Sequence, residues 1–242
     1  MRGKAARVVS AETLKPVADG RGHSTWYVAV VAIFVTTLIA ANVTAVKLID
    51  VFGLIVPAGT IVFPISYIVG DVLTEVYGYR AARRTIWLAF ACNLLFVAAV
   101  YGAQVIPPAS FWDGQAAYER ILGFTGRLLV ASFCAYLIGE FANAYVLARL
   151  KIVTSGRWLW LRTISSTLVG QGIDSAVFVT IAFIGTIPTT VLIGTAITQW
   201  LAKSLYEALA TPLTYAVVGS LKRVEKLDVY DRDTSFSPFS VK

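Results

Sequence analysis

A single histidine, two cysteines and a charged fraction of only 14% leave this 242-residue chain with little of the equipment of a soluble enzyme. Soluble domains carry about 25% charged residues, so a chain far below that has found a solvent other than water. The lone histidine, His23, lies in a polar N-terminal stretch, which removes most histidine-based catalysis. Cys92 and Cys134 both sit inside apolar runs, where they read as small buried hydrophobes, and no spacing points to a disulfide or a metal site. HExxH, a GxGD-type aspartate pair and a GxxxxGK[ST] loop are all missing, so neither intramembrane hydrolysis nor a built-in ATPase is written into the chain. No cofactor and no metal are expected.

What the chain has is apolar length. Hydrophobic residues make up 57% of it and the mean hydropathy is +0.71, the composition of a polytopic, all-α membrane protein. Six spans are expected, at about 26–46, 54–69, 85–105, 127–150, 163–187 and 189–219. Interfacial Trp26 and Tyr27 open the first. The connector 106–125 is rich in proline and aromatics and reads as outer-interface chain. Residues 1–25 are expected to be a disordered cytoplasmic tail without signal-peptide features, 26–220 the six-helix domain, and 221–242 a second, disordered tail. Small residues at four-residue spacing, Ser166/Gly170 and Gly172/Ala176, point to close helix packing on the fifth span.

The net charge of +7 invites a nucleic-acid partner, but the positions of the charges argue otherwise. With the N-terminus inside, 17 of the 21 Lys and Arg residues fall in cytoplasmic segments, only Lys47, Arg120 and Arg127 fall outside, and Lys203 lies within a span. That asymmetry is the positive-inside pattern, with both termini cytoplasmic. It absorbs the positive charge with the lipid bilayer as partner and no nucleic acid.

The most informative stretch is PAGTIVFPISYIVGDVLTEVYGYRAARR, Pro57 to Arg84. Pro57, Gly59 and Pro64 fall within eight residues, so the second span is expected to be broken there; in lipid a break survives where it faces protein or a wet cavity. Interrupted segments of this kind point toward the binding site in transporters. The stretch ends on Asp71 and Glu75, four residues apart, followed by Arg80, Arg83 and Arg84. Two readings stand: solvated helix-end charges, or a cytoplasmic gate whose ion pairs with that basic cluster break on opening.

Other polar residues lie deeper. Glu140 and Asn143 share a face of the fourth span with Tyr136; Gln171, Asp174 and Phe178 share one on the fifth, a turn beyond Thr167; Gln199, Lys203 and Glu207 recur every four residues on the sixth. Each ionised residue at a helix centre costs about 2.5–3.5 kcal/mol, so four would cost roughly 10–14 kcal/mol before pairing. Lys203 can neutralise one carboxylate and not three. A polar network binding the helices together is one reading; a cavity for a solute is the other. Carboxylates can accept paired hydrogen bonds from an N–H/NH2 edge. Amides can read a mixed edge, Lys203 can donate to a carbonyl, and Phe63, Tyr67, Phe178 or Trp200 can cover a ring. Such a set suits a flat polar heterocycle better than an ion.

The block FPISYIVGDVLTEVYGYRAARR, the preceding ANVTAVKLIDVFGLIVPAGT, and the later GEFAN, GQGIDSAVF and KSLYEALATPLTY together resemble the queuosine precursor transporter family over about 42–215. The resemblance implies a six-helix bacterial inner-membrane importer of 7-deazaguanine bases, the cyano and aminomethyl precursors of the tRNA base queuosine. It implies no enzymatic activity and a purine-like small molecule as partner, with a homodimer possible. The family's polar positions fall on Asn42, Asp71, Glu75, Glu140, Asn143, Gln171, Asp174, Lys203 and Glu207. With Phe63, Tyr67 and Gln199 added from the residue reading, these form the expected substrate site, Asp71 and Glu75 being set apart as the gate. The competing reading is the substrate-binding subunit of an ATP-driven vitamin or nucleobase importer, with its ATPase on other chains.

Overall fold

A computed structural model describes residues 24–51, 54–123 and 126–240. Most of the expected N-terminal tail, residues 1–23, lies outside the described residues. The body is helical: α1 (Thr25–Thr44), α2 (Gly59–Val72), a π-helical turn (Leu73–Tyr77), α3 (Tyr79–Val105), α4 (Gln115–Leu122), α5 (Gly126–Val153), α6 (Leu159–Phe183) and α7 (Thr189–Glu225). A small antiparallel hairpin, β1 (Leu48–Val51) and β2 (Leu54–Pro57), joins α1 to α2, with Leu48 opposite Pro57 and Val51 opposite Leu54.

Four of these stretches, α1, α3, the α4–α5 region and α6, are long and apolar enough to cross a membrane. At 1.5 Å per residue, the 27 residues of α3 reach about 40 Å, beyond the roughly 30 Å of bilayer hydrocarbon. Helix α7 carries Leu205, Leu209 and Leu213 exposed, as expected of a side turned to lipid. It runs as a single α-helix through Pro212.

The second span differs from expectation in two ways. Residues 54–57 pair as a strand, so the helix begins only at Gly59. Its irregularity sits not at Pro64, which α2 passes without interruption, but at Leu73–Tyr77, where the winding widens to π. Pro64, the sixth residue of α2, gives up one intrahelical bond without ending the helix, whereas a π-turn marks a place where side-chain demands override regular winding. Glu75 lies in that turn. Gly78, at φ 85°, then resets the chain into α3, a conformation that favours glycine.

The apolar core forms around Phe34 and Leu38 of α1, Val72 of α2, Leu73 and Val76 of the π-turn, Tyr79 and Ile86 of α3, and Ala144 and Ala148 of α5. Helices α5 and α6 approach most closely at glycines. A Cβ on Gly139 would lie 2.8 Å from Asp174 Cβ and 3.0 Å from Gly170 O, and one on Gly170 would lie 2.7 Å from Asn143 Cβ. Of the small residues singled out in the sequence, Ser166 and Gly170 are thus in packed positions, Gly172 lies against Trp200 of α7, and Ala176 is exposed. Gly139→Ala would drive a methyl into backbone that cannot yield. It is expected to destabilise the bundle by about 1–3 kcal/mol, read as a lower melting temperature of the purified protein; an unchanged melt would show that the two helices can part at no cost.

Both ends of the described helical body lie together. Ser24 caps α1 by accepting from Tyr27 N–H (3.0 Å) and donates to Glu225 Oε1 at the end of α7 (2.7 Å). The segment after α7 is not the disordered tail expected. Residues 226–240 fold back over the bundle end, with Asp231 buried.

Candidate functional site

The close approach at Gly139 and Gly170 sets Glu140 and Asn143 of α5 against Asp174 and Gln171 of α6. Every one of these four side chains is buried. Asn143 Nδ2 donates to Asp71 Oδ1 (2.9 Å), bringing the last turn of α2 into the group. From α7, Lys203 Nζ donates to Asp174 Oδ2 (2.5 Å), and the Glu207 carboxyl lies between Thr167 and Asp71. Glu140 faces Asp71 and Asp174 and touches the backbone of α2 at Gly70, where any Cβ would strike its Oε1. Tyr67, fully enclosed, faces Asp174, Glu140 and Glu207.

Eight of the expected residues, Tyr67, Asp71, Glu140, Asn143, Gln171, Asp174, Lys203 and Glu207, are therefore brought into one cluster shared by α2, α5, α6 and α7. Three are not. Asn42 is half-buried near the end of α1, with no hydrogen bond to the cluster among the described residues. Gln199 lines an open groove with Val191, Gly194, Thr195 and Thr198. Phe63 lies on α2, and its side chain is outside the described residues. The ring-covering candidates Phe178 and Trp200 point elsewhere, Phe178 toward Phe183 and Trp200 donating to Leu168 O (2.9 Å).

Charge is unevenly matched in this cluster. Lys203 is its one cation among the described residues and it is engaged by Asp174, so Asp71, Glu140 and Glu207 have no ion-pair partner there. Five buried oxygens of this cluster lack a hydrogen-bond partner among the described residues: Asp71 Oδ2, Asn143 Oδ1, Thr167 Oγ1, Gln171 Oε1 and Glu207 Oε1. Four of them are acceptors, and the fifth is the Thr167 hydroxyl beside Glu207, which can also donate. Buried polar atoms without partners are uncommon in folded proteins, and the surplus of acceptors over donors in this cluster suits a ligand rich in hydrogen-bond donors.

Glu75, the other member of the Asp71/Glu75 pair, belongs to a different group. Its expected partners Arg80, Arg83 and Arg84 do not reach it. Arg80 and Arg84 are exposed, and Arg83 donates to Ser235 O and Ser237 O of the C-terminal segment (2.9 and 3.0 Å). The π-turn aims Glu75 instead into the bundle, where Oε1 accepts from Arg162 Nη2 (2.8 Å) and Lys222 Nζ (2.7 Å), with Lys151 Nζ at 3.7 Å. Lys151 also donates to Glu75 O (2.5 Å) and, like Lys222, to Asp228 Oδ1 (2.6 and 2.8 Å). The Glu75, Lys151 and Arg162 side chains are all enclosed. Burial alone would raise the Asp228 carboxyl, but hydrogen bonds from Lys151 and Lys222, reinforced by their charges, hold it below the usual carboxylate range.

Lys151, Arg162, Lys222 and Asp228 escaped the sequence reading because the first three were counted as positive-inside charges. One signal was available. Glu140, Asn143, Leu147 and Lys151 recur at helical spacing on α5, so the face that holds the central cluster also carries Lys151.

Comparison with known proteins places this architecture. Residues 57–217 match the family described as "Putative vitamin uptake transporter". The chain is 33% identical over 189 residues to the "Probable queuosine precursor transporter" of Bacillus subtilis (strain 168), covering 78% of this chain and 82% of that protein. It is 30% identical over 135 residues to the "Queuosine precursor transporter" of Escherichia coli (strain K12), covering 56% of this chain and 58% of that protein. No solved structure matches.

Proposed function

The chain belongs to the family described as "Putative vitamin uptake transporter", and from that premise we propose that it imports queuosine precursors, 7-cyano-7-deazaguanine and 7-aminomethyl-7-deazaguanine, for tRNA modification. It is a multi-pass protein of the bacterial inner membrane. The observation that carries the substrate reading is the set of four unpartnered acceptors on Asp71, Asn143, Gln171 and Glu207. A 7-deazaguanine presents N–H and NH2 donors around a flat ring, and such a ligand supplies what the cluster lacks.

Within this reading Glu140 clamps the N–H/NH2 edge, because Asp174 is already engaged by Lys203. Gln171 and Asn143 read neighbouring edges, Tyr67 lies against the ring, and Lys203 with Glu207 sets the local charge. Asn42, Phe63 and Gln199 would join only in another state of the transport cycle. Six crossings are counted by adding two to the four apolar stretches. One is α2 with its π-turn, spanning Gly59 to Tyr77 and about 28 Å long; the other is α7. The bond from Ser24 to Glu225 supports an even number, since it puts both ends of the body on one side. The charge distribution makes that side cytoplasmic. There the Glu75 cluster is the gate, with Asp71 linking it to the substrate cluster four residues away.

The test is expression in bacteria that neither make queuosine precursors nor carry another importer, with each deazaguanine supplied at low concentration. Queuosine should reappear in tRNA with wild type. It should be lost with a well-expressed Glu140→Gln variant. Queuosine that stays absent with wild-type protein in the membrane would remove the deazaguanine assignment.

A further inference from the structure

The segment that follows α7 is held by the same cations that hold Glu75. Lys226 turns the chain back in the left-handed region (φ 51°), and Asp228 then bonds Lys151 and Lys222, each of which also reaches Glu75. Three residues on, Asp231 Oδ2 accepts from Tyr79 N–H (2.8 Å). Helix α3 starts at Tyr79 behind a glycine, with no side chain of its own to cap it, so Asp231 supplies that cap from the far end of the sequence. Beyond it, Trp87 Nε1 donates to Pro238 O (2.9 Å), adding to the two carbonyls held by Arg83. Two left-handed glycines fit the same segment: a Cβ on Gly78 would lie 2.7 Å from Val229 Cγ1, and one on Gly156 would strike the Tyr230 hydroxyl.

We propose that Asp228 and Asp231 are positioning residues of the gate, through which residues 226–240 act as a latch that shuts this end of the transport path and releases as it opens. The charge balance gives the cause. Lys151, Arg162 and Lys222 converge on two carboxylates, Glu75 and Asp228. Without Asp228, three cations from α5, α6 and α7 face one carboxylate, and their repulsion in a poorly solvated place pushes those helix ends apart. The latch is also where release is easiest. The Asp228 side chain is 44% exposed while that of Glu75 is fully enclosed, so water can replace the bonds of Asp228 before it reaches Glu75.

The latch rests on the transporter reading for its purpose, but its test uses no substrate. Full-length protein in nanodiscs, with Cys92→Ala and Cys134→Ala, carries Ser166→Cys as reporter, a fully buried position one turn from Arg162 on α6. Its reaction rate with a water-soluble maleimide is measured. Asp228→Asn should raise the rate several-fold, Asp228→Glu should return it toward the parent, and Asp233→Asn, an exposed acid on the same segment, should leave it unchanged. Should Asp228→Asn fail to fold, Asp231→Asn is read in the same way. A rate that the Asn variant does not change, or one that Asp233→Asn raises equally, overturns the latch. Loss of deazaguanine import with the labelling pattern intact would leave the latch standing and remove only the substrate.

Discussion

Lys203→Met is expected to abolish import and to reduce the amount of folded protein in the membrane. Lys203 is the one cation, among the described residues, in a cluster with Asp71, Glu140, Asp174 and Glu207, and its ammonium sits 2.5 Å from Asp174 Oδ2. Breaking a buried, hydrogen-bonded charge pair by removing one partner costs about 2–5 kcal/mol, most of it from the charge left behind. At the lower end that is already roughly a 30-fold effect. The side chain keeps 24% of its exposure, so the lower half of the range is the better guide.

A companion variant separates stability from binding. In Lys203→Met/Asp174→Asn the pair is neutral, which should restore protein abundance, because removing both members of a buried pair is far cheaper than removing one. Import should stay lost if Lys203 sets the charge seen by the base. Full import by the neutral double variant would reduce the pair to a structural contact between α6 and α7, and the site would then rest on Glu140 and the acceptor set.

The central cluster was legible in the sequence because its parts obey helical periodicity inside apolar runs. Glu140 with Asn143, Gln171 with Asp174, and Lys203 with Glu207 could be placed on faces from spacing alone, and insertion cost made it certain that such faces turn inward. Periodicity says nothing of which faces meet. The pairing of Lys203 with Asp174 rather than Glu140 comes from helix packing at Gly139 and Gly170, and nothing local encodes it. Glu75 was misjudged for a related reason. Regular α-winding from Asp71 carries Glu75 toward the helix end and the nearby arginines, but the π-turn re-aims it toward Lys151, Arg162 and Lys222, which lie 76, 87 and 147 residues away in sequence. Residues 221–242 read as a free tail because their composition is polar. Residues 226–240 are held by the carboxylates of Asp228 and Asp231 and by backbone carbonyls bonded by Arg83 and Trp87, and composition does not reveal such long-range partners.

Glu75→Gln should separate gate from binding site. The amide keeps the shape of the side chain but removes the negative charge on which Arg162, Lys222 and Lys151 converge. Lys151 and Lys222 then keep only Asp228, itself half-exposed, and Arg162 loses its carboxylate partner. Loss of the buried partner is expected to cost about 3–5 kcal/mol, a fall in melting temperature on the order of 10 °C. Import should slow, because the end of the path can no longer close around a charged centre. Affinity for the deazaguanine should hold, since Glu75 makes none of the contacts of the central cluster, and a mutation that spares ground-state contacts spares ground-state binding. Equilibrium binding to purified protein, beside the rate of uptake into liposomes, reads the two effects separately. A large loss of affinity in Glu75→Gln would move Glu75 from the gate into the binding site, and the boundary between the two clusters, four residues wide from Asp71 to Glu75, would have to be redrawn.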